Sequence, residues 1–250
     1  MAPKRLEIGH PKSPPICGVA GCQGCSWIFS GLDEKSQHEL CRMMRSVEYG
    51  ADEAIFHEGT PAFGFFIICS GKAKLIKHGP GGKRHILKIV GPGELLGEEN
   101  LFDGGTHTAS ARTIEPTRAR FIKREDFLDF LKRHPMVALQ LAEKVARELQ
   151  GFQAKLIETA YESCRARLAR LLLALAEKYG TVNGEIQARI SRMDLAEMAG
   201  ISTETAIRTL GEFEEKGLIS LRRRKIAIID PKGLEELATP LPVETIENLL

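Results

Sequence analysis

The chain has 250 residues, of which 43% are hydrophobic and 27% charged, with a formal net charge of +2. That is enough apolar material for a sizeable core and enough length for two domains, while the near balance of charge means that nucleic-acid affinity must come from local placement of basic residues. No apolar run approaches a membrane span, and the N-terminal MAPKRLEIGHPKSPPI lacks the apolar core of a signal peptide, so a cytoplasmic protein without membrane contact is expected.

Six cysteines are present, three of them in an N-terminal arm (residues 1–30) as Cys17-x4-Cys22-x2-Cys25. In a reducing compartment such clustering points to metal or redox chemistry before disulfides. From about Leu32 to Val47 the pattern predicts a short amphipathic helix with Leu40, Met44 and Val47 on one side and Cys41 beside that face. Residues 50–125 change character. Short β-rich runs are punctuated by Gly50, Gly59, Gly71, the turn Gly79-Pro80-Gly81-Gly82, Gly91, Gly93 and Gly97, which is how a small antiparallel barrel or jelly roll reads.

Residues 125–162 read as helical, broken by Pro135. In the longer piece Leu139, Ala142, Ala146, Leu149, Gln153, Leu156 and Ala160 recur at spacings of three and four, a heptad seam that predicts a parallel two-stranded coiled coil and so a homodimer. A helix packed on its own domain is the alternative. Gln153 is a polar interruption of the kind that sets register or touches a ligand. A further helix is expected over Ser163 to Tyr179, then a turn at Asn183-Gly184.

Ser191 to Ile219 carries the strongest pattern in the chain. Ser191 with Asp194 has capping-box spacing, and Leu195 and Ala199 share a face. Gly200 stands where the chain must turn, and Ser202 is an N-cap for a helix from about Thr203 to Lys216. Ala206, Leu210 and Phe213 should pack inward, turning Thr203, Glu204 and Arg208 outward. An arginine pairs bidentately with guanine and a carboxylate accepts from cytosine N4, so this helix-turn-helix is expected to read the DNA major groove. Leu218 to Ile229 alternates around Arg222, Arg223, Arg224 and Lys225, as a two-stranded wing near phosphate would; a solvated basic turn is the plainer reading of that run. No nucleophile elbow, P-loop or paired catalytic motif appears, so an enzyme is not expected.

This order of parts, with Gly71, Gly91-Pro-Gly-Glu94, Gly97-Glu98 and the helix Ser202 to Arg208, resembles the cyclic-AMP receptor protein and fumarate-nitrate regulator superfamily of bacterial transcription factors, and the fumarate-nitrate branch more closely. The resemblance implies an α+β chain with a cyclic-nucleotide-binding-like jelly-roll β-barrel (31–134), a dimerisation helix (135–162), a winged helix-turn-helix (163–240) and a short tail (241–250). It also implies a homodimer on a near-palindromic site and contact with RNA polymerase. Glu204 and Arg208 match the pair implied to contact central G·C pairs, while Ser202, Thr203, Thr205 and Ile207 complete the DNA-reading set. A TTGA-type half-site is expected.

Cyclic-nucleotide binders of the superfamily follow Gly-Glu with Arg-Ser or Arg-Thr for the cyclic phosphate. Here Gly97-Glu98 is followed by Thr108-Ala109, a neutral hydroxyl in place of a guanidinium fork, which argues against cyclic AMP; Phe152 and Gln153 do not restore the charge. That loss, with the winged segment, also argues against a cyclic-nucleotide-binding module that lacks a DNA function. The CQGCS segment with Cys17 resembles the iron–sulfur ligand arm of the fumarate-nitrate regulator, implying a [4Fe–4S] cluster on Cys17, Cys22 and Cys25. The family's further cysteine beyond the pair is absent and Arg120 aligns with its barrel cysteine, so the fourth ligand would be Cys41, Cys69 or a non-cysteine such as an aspartate or histidine; Cys41 is favoured, with Cys69 read as core and Cys164 as structural. Zinc, thiol redox or a vestigial arm stay open, as does a small ligand in the barrel. Some members bind haem, but His57, His78, His85 and His107 are dispersed as surface or turn residues and argue against it.

Overall fold

The first helix begins where Asp33 accepts a hydrogen bond from the Ser36 amide at 2.8 Å, and α1 runs Glu34–Met43. In this computed structural model residues 29, 31–187, 190–222 and 225–238 are described; Cys17, Cys22, Cys25, Arg223 and Arg224 lie outside them. The helix expected to reach Val47 stops earlier. Met44 is extended, and Val47 lies in β1 (Arg45–Tyr49), opposite Ala119. A β-branched residue in a paired, half-buried strand wins over a last helical turn that has no cap of its own.

The strands β2 (Ala54–Phe56), β3 (Gly64–Ser70), β4 (Ala73–His78), β5 (Arg84–Val90), β6 (Leu95–Leu96), β7 (Ser110–Thr113) and β8 (Thr117–Lys123) complete two antiparallel sheets. Their orders are β1-β8-β3-β6 and β2-β7-β4-β5, the jelly-roll arrangement expected. Phe56, Phe66, Ile68, Leu75, Val90 and Leu96 fill the space between them. The other face of β3 is covered by α2 (Arg124–Arg133), where Phe65 and Ile67 meet Phe127 and Phe130. Being buried on both faces, β3 reads as the continuous apolar run GFFIICS, with Cys69 inside it at 5% exposure.

Pro135 separates α2 from α3, Pro135–Tyr161, whose 27 residues span about 40 Å. Only Val137 and Leu141 of α3 are buried. The seam residues Leu139, Ala142, Ala146, Leu149, Gln153, Leu156 and Ala160 are all exposed in the single chain, with Leu156 at 72%.

The C-terminal domain comprises α4 (Cys164–Tyr179), β9 (Thr181–Val182), β10 (Glu185–Ile186), α5 (Arg192–Ala199), α6 (Thr203–Glu215), β11 (Ile219–Arg222), β12 (Lys225–Ile228) and α7 (Pro231–Leu237). Ser163 caps α4, and Cys164 is its first residue, its sulfur 3.6 Å from Arg167 Nη2. Asn183 and Gly184 both adopt positive φ, the requirement of a two-residue hairpin turn. That hairpin extends the expected two-stranded wing into a four-stranded sheet, β11-β12-β10-β9.

The two domains are packed together. Ile76, Ile86 and Ile89 of the barrel share one apolar cluster with Leu168, Leu172, Leu195 and Ala199. No helix among the described residues is long and apolar enough to cross a membrane.

Candidate nucleic-acid interface and effector pocket

Local sequence signals build the helix-turn-helix. The Ser191 hydroxyl accepts from the Asp194 amide at 3.0 Å, and Asp194 Oδ2 accepts from the Ser191 amide at 3.2 Å, closing the capping box. Gly200 ends α5 in the left-handed region at φ 65°, a conformation that costs a Cβ-bearing residue. Ser202 then caps α6, accepting from the Thr205 amide at 3.1 Å, and the two hydroxyls lie 3.0 Å apart.

Ala206, Leu210 and Phe213 are fully buried and Thr209 nearly so, which locks the rotation of α6. Glu204, Ile207 and Arg208 consequently face solvent, Thr203 and Thr205 are half-buried, and Ser202 is exposed at the N-terminal end. The backbone N–H at that helix end and Ser202 hold the Glu204 carboxyl below its ordinary value. Glu204 is therefore an ionised acceptor at neutral pH, poised beside a permanent donor on Arg208. The acidic C-terminal half of α6 is tied to the protein. Glu212 pairs with Arg165, and Glu214 accepts from the Leu221 amide at 2.7 Å.

In the wing Arg222 is exposed, but Lys225 is paired with Glu185 at 2.6 Å. The basic run read as one phosphate-facing group is thus partly neutralised within the sheet.

The barrel pocket differs more from expectation. Gly97 holds φ 85°, and Glu98 follows it at 3% exposure. Lys144 of α3 donates to Glu98, and Lys88 of β5 lies 3.2 Å from the same oxygen. Glu148 closes the group, 2.9 Å from Lys88 and 2.8 Å from Lys144. Burial pushes the Glu98 carboxyl up, but the two ammonium groups outweigh it and hold it below its ordinary range. Burial likewise opposes the Lys88 charge, and Glu98 and Glu148 reverse that and raise it.

Thr108 is exposed, and its carbonyl accepts from Lys77 Nζ. Gln153 is exposed on α3; the α3 side chain that reaches Glu98 is Lys144, with Glu148 joined to the group through the lysines. These lysines were missed in the sequence because nothing local links β5 to α3. The only hint was the Lys144/Glu148 spacing of one helical turn, common on solvated faces.

Among the histidines, His57, His78 and His85 are exposed, but His107 is not the surface residue expected. It is 5% exposed and stacked on Phe56 at 3.7 Å, in space left by the missing side chain of Gly97, where a Cβ would meet His107 Cε1 at 3.3 Å. Burial lowers its pKa by disfavouring the charged ring. Cys41 is half-buried on α1, against the apolar cluster that contains Phe29.

Comparison with known families matches residues 46–134 to the cyclic nucleotide-binding domain and residues 166–237 to the Crp-like helix-turn-helix domain. The CRP-like cAMP-activated global transcriptional regulator of Mycobacterium tuberculosis (strain H37Rv) is 30% identical over 214 residues, 84% of this chain and 96% of that protein. The cyclic AMP receptor protein of Thermus thermophilus is 34% identical over 212 residues, again 84% of this chain and 96% of the relative. Among solved structures, FixK2 from Bradyrhizobium japonicum has a TM-score of 0.72 at 24% identity, covering 80% of this chain and 99% of that one, a likeness of fold. Barrel, long helix and capped reading helix in this order, with relatives matched over almost their whole length, make the chain a DNA-binding transcription regulator of the Crp/Fnr family.

Proposed function

We propose that this regulator acts as a homodimer joined along α3, reads a near-palindromic TTGA-type site with Glu204 and Arg208, and is not switched by cyclic AMP. The observation that carries the last point is the Lys88–Glu98–Lys144 group. The acid that cyclic-nucleotide binders turn toward ribose is here paired through Oε1 with two lysines of the same chain, and Thr108 offers no charge for a phosphate. The mycobacterial and Thermus relatives carry cyclic AMP in their names, so the effector is where this chain departs from them. The exposed Leu139, Leu149 and Leu156 support the dimer, since an apolar stripe of this length on a soluble helix calls for a partner. Two symmetric reading helices then face half-sites about one DNA turn apart, and the bound dimer presents its surface to RNA polymerase.

The signal enters, in this reading, through Cys17, Cys22 and Cys25 with Cys41 as fourth thiolate, a donor set that suits a [4Fe–4S] cluster sensitive to oxygen or nitric oxide. Support comes from Phe29, buried in the cluster that Cys41 borders, because Cys25 is only four residues away, a reach of about 14 Å. A second reading keeps the regulator and places a small ligand in the barrel. It is favoured by Glu98 Oε2, which is buried without a hydrogen-bond partner.

Protein purified without oxygen, assayed for iron and sulfide and titrated onto a TTGA-type palindrome, tests the proposal. Near-stoichiometric cluster, brown colour and air-sensitive DNA binding are expected, with no heat of binding for cyclic AMP. Colourless, iron-free protein that still binds DNA overturns the cluster, and saturable binding of cyclic AMP overturns its exclusion as effector.

A further inference from the structure

A cleft of about 260 Å³, open on one side, lies where α3, α4 and α5 converge, away from the barrel pocket and from the exposed reading face of α6. Its walls are partly apolar, from Leu171 and Met198, and three cations line it, Lys155 from α3 and Arg167 and Arg170 from α4; Arg170 is paired with Glu158 and Glu162, which leaves Lys155 and Arg167. Each is unusual. Arg167 is in no ion pair among the described residues; its Nε is buried without a hydrogen-bond partner, and its Nη2 meets only the weak acceptor Cys164 Sγ, at 3.6 Å. Burial lowers the pKa of Lys155 and outweighs the nearby Glu158 carboxylate, which acts to raise it. The acid of the cleft, Glu158, is engaged by Arg170 at 3.0 Å.

A buried guanidinium N–H without an acceptor is costly, and two desolvated cations beside one another's elements favour an anion between them. Apolar walls with a few convergent charged groups describe a small-molecule site. We propose that this cleft binds a small organic anion, an apolar or aromatic body carrying one phosphate or carboxylate, with Arg167 and Lys155 on the anionic head and Leu171 and Met198 against the body.

The position gives such binding a consequence, which rests on the DNA-reading role of α6. Arg167 lies against the turn of the helix-turn-helix, where a Cβ on Gly200 would come within 3.4 Å of its Nη1, while Lys155 belongs to the dimerisation helix. An anion held by both clamps the angle between the dimer axis and the reading helices, and so selects one spacing of them.

The full chain, titrated with 1-naphthyl phosphate, 1-naphthoate, inorganic phosphate and 1-naphthalenemethanol, tests the site by calorimetry. One saturable site per chain is expected for at least one naphthyl anion, and whichever of the two binds more tightly identifies the head group. Inorganic phosphate and the neutral alcohol should bind at least tenfold more weakly. Arg167→Gln and Lys155→Gln should each weaken the naphthyl anion about tenfold. Lys155 is half-buried and engages no ion pair among the described residues, so that second variant keeps the test valid where the first unfolds. No saturation, or unchanged affinity in both variants, overturns the site. DNA binding is read separately by anisotropy. Probe binding without any sequence-specific DNA binding refutes the DNA reading and leaves the site, whereas probe binding that leaves DNA affinity within twofold refutes the clamp.

Discussion

Lys74 Nζ lies 2.6 Å from Asp194 Oδ1, joining a central strand of the barrel to the first helix of the DNA-binding domain. Asp194 is also the residue that closes the capping box with Ser191, so one carboxylate holds both a helix end and a domain boundary. Both side chains are nearly buried, at 12% and 9% exposure. Burial raises the Asp194 pKa, but Lys74 and Ser191 overcome this and leave it below its ordinary value.

Replacing Lys74 with methionine removes a charge-assisted bond and leaves Asp194 held by Ser191 alone, at an expected loss of about 2 kcal/mol. Urea unfolding of the wild type, K74M, D194N and the double variant checks it. A coupling energy of about 1 kcal/mol or more between the two sites is expected, and additive losses would show that the contact carries no stability.

The Glu98 group gives stability a defined pH range. The folded pKa of Glu98 lies below the ordinary 4.5, so its contribution is present above pH 4.5 and is lost as pH falls through the lower folded value. Lys88 is raised above 10.5, so its contribution is present below pH 10.5 and is lost as pH rises through the higher folded value. Melting temperatures measured across pH should show a plateau between these limits from this group. Lys144→Met should lower stability by about 2 kcal/mol on the plateau and reduce the loss in acid.

His107 adds a second acid dependence. Its folded pKa is below 6.5, so the unfolded chain takes up a proton first and stability falls as pH drops below 6.5. His107→Phe keeps the stack on Phe56 and removes the titration. The melting temperature of that variant should vary less between pH 6.5 and 5 than that of the wild type.

Arg208 is exposed and supports no described packing, so Arg208→Ala should leave the melting temperature unchanged. Its effect should fall on specific DNA binding, weakened by about 1 to 3 kcal/mol with relaxed preference at the base it reads. A competition assay over half-site variants measures this. An unchanged preference would remove Arg208 from the reading set.

The seam on α3 is tested by Leu149→Glu with Leu156→Glu. Both positions are exposed in the single chain, at 58% and 72%, so the fold should survive. Sedimentation should show monomer in place of dimer, with loss of binding to the full palindrome.

The helix ends were legible because their determinants sit within a few residues of one another. Ser191 and Asp194, Gly200, and Ser202 form a local code, and Pro135 breaks a helix wherever it stands. Val47 was misread since its helical spacing to Met44 was local, whereas the strand it joins is completed by Ala119. His107 was misread because its burial depends on the absent side chain of Gly97 and the ring of Phe56.

The sequence by itself determined the caps, the turn at Gly200 and the outward face of α6, all matters of residue type at short spacing; the neutral Thr108 where cyclic-nucleotide binders carry arginine was legible only through the family resemblance. Tertiary structure alone decided that Lys88 and Lys144 fill the place beside Glu98, that Lys74 reaches Asp194 across 120 positions, and that Lys155 and Arg167 share the α3, α4 and α5 cleft. Charges find partners through space, and in this chain the pairs that tie the barrel to α3 and to the helix-turn-helix join elements far apart in sequence, where no periodicity can announce them.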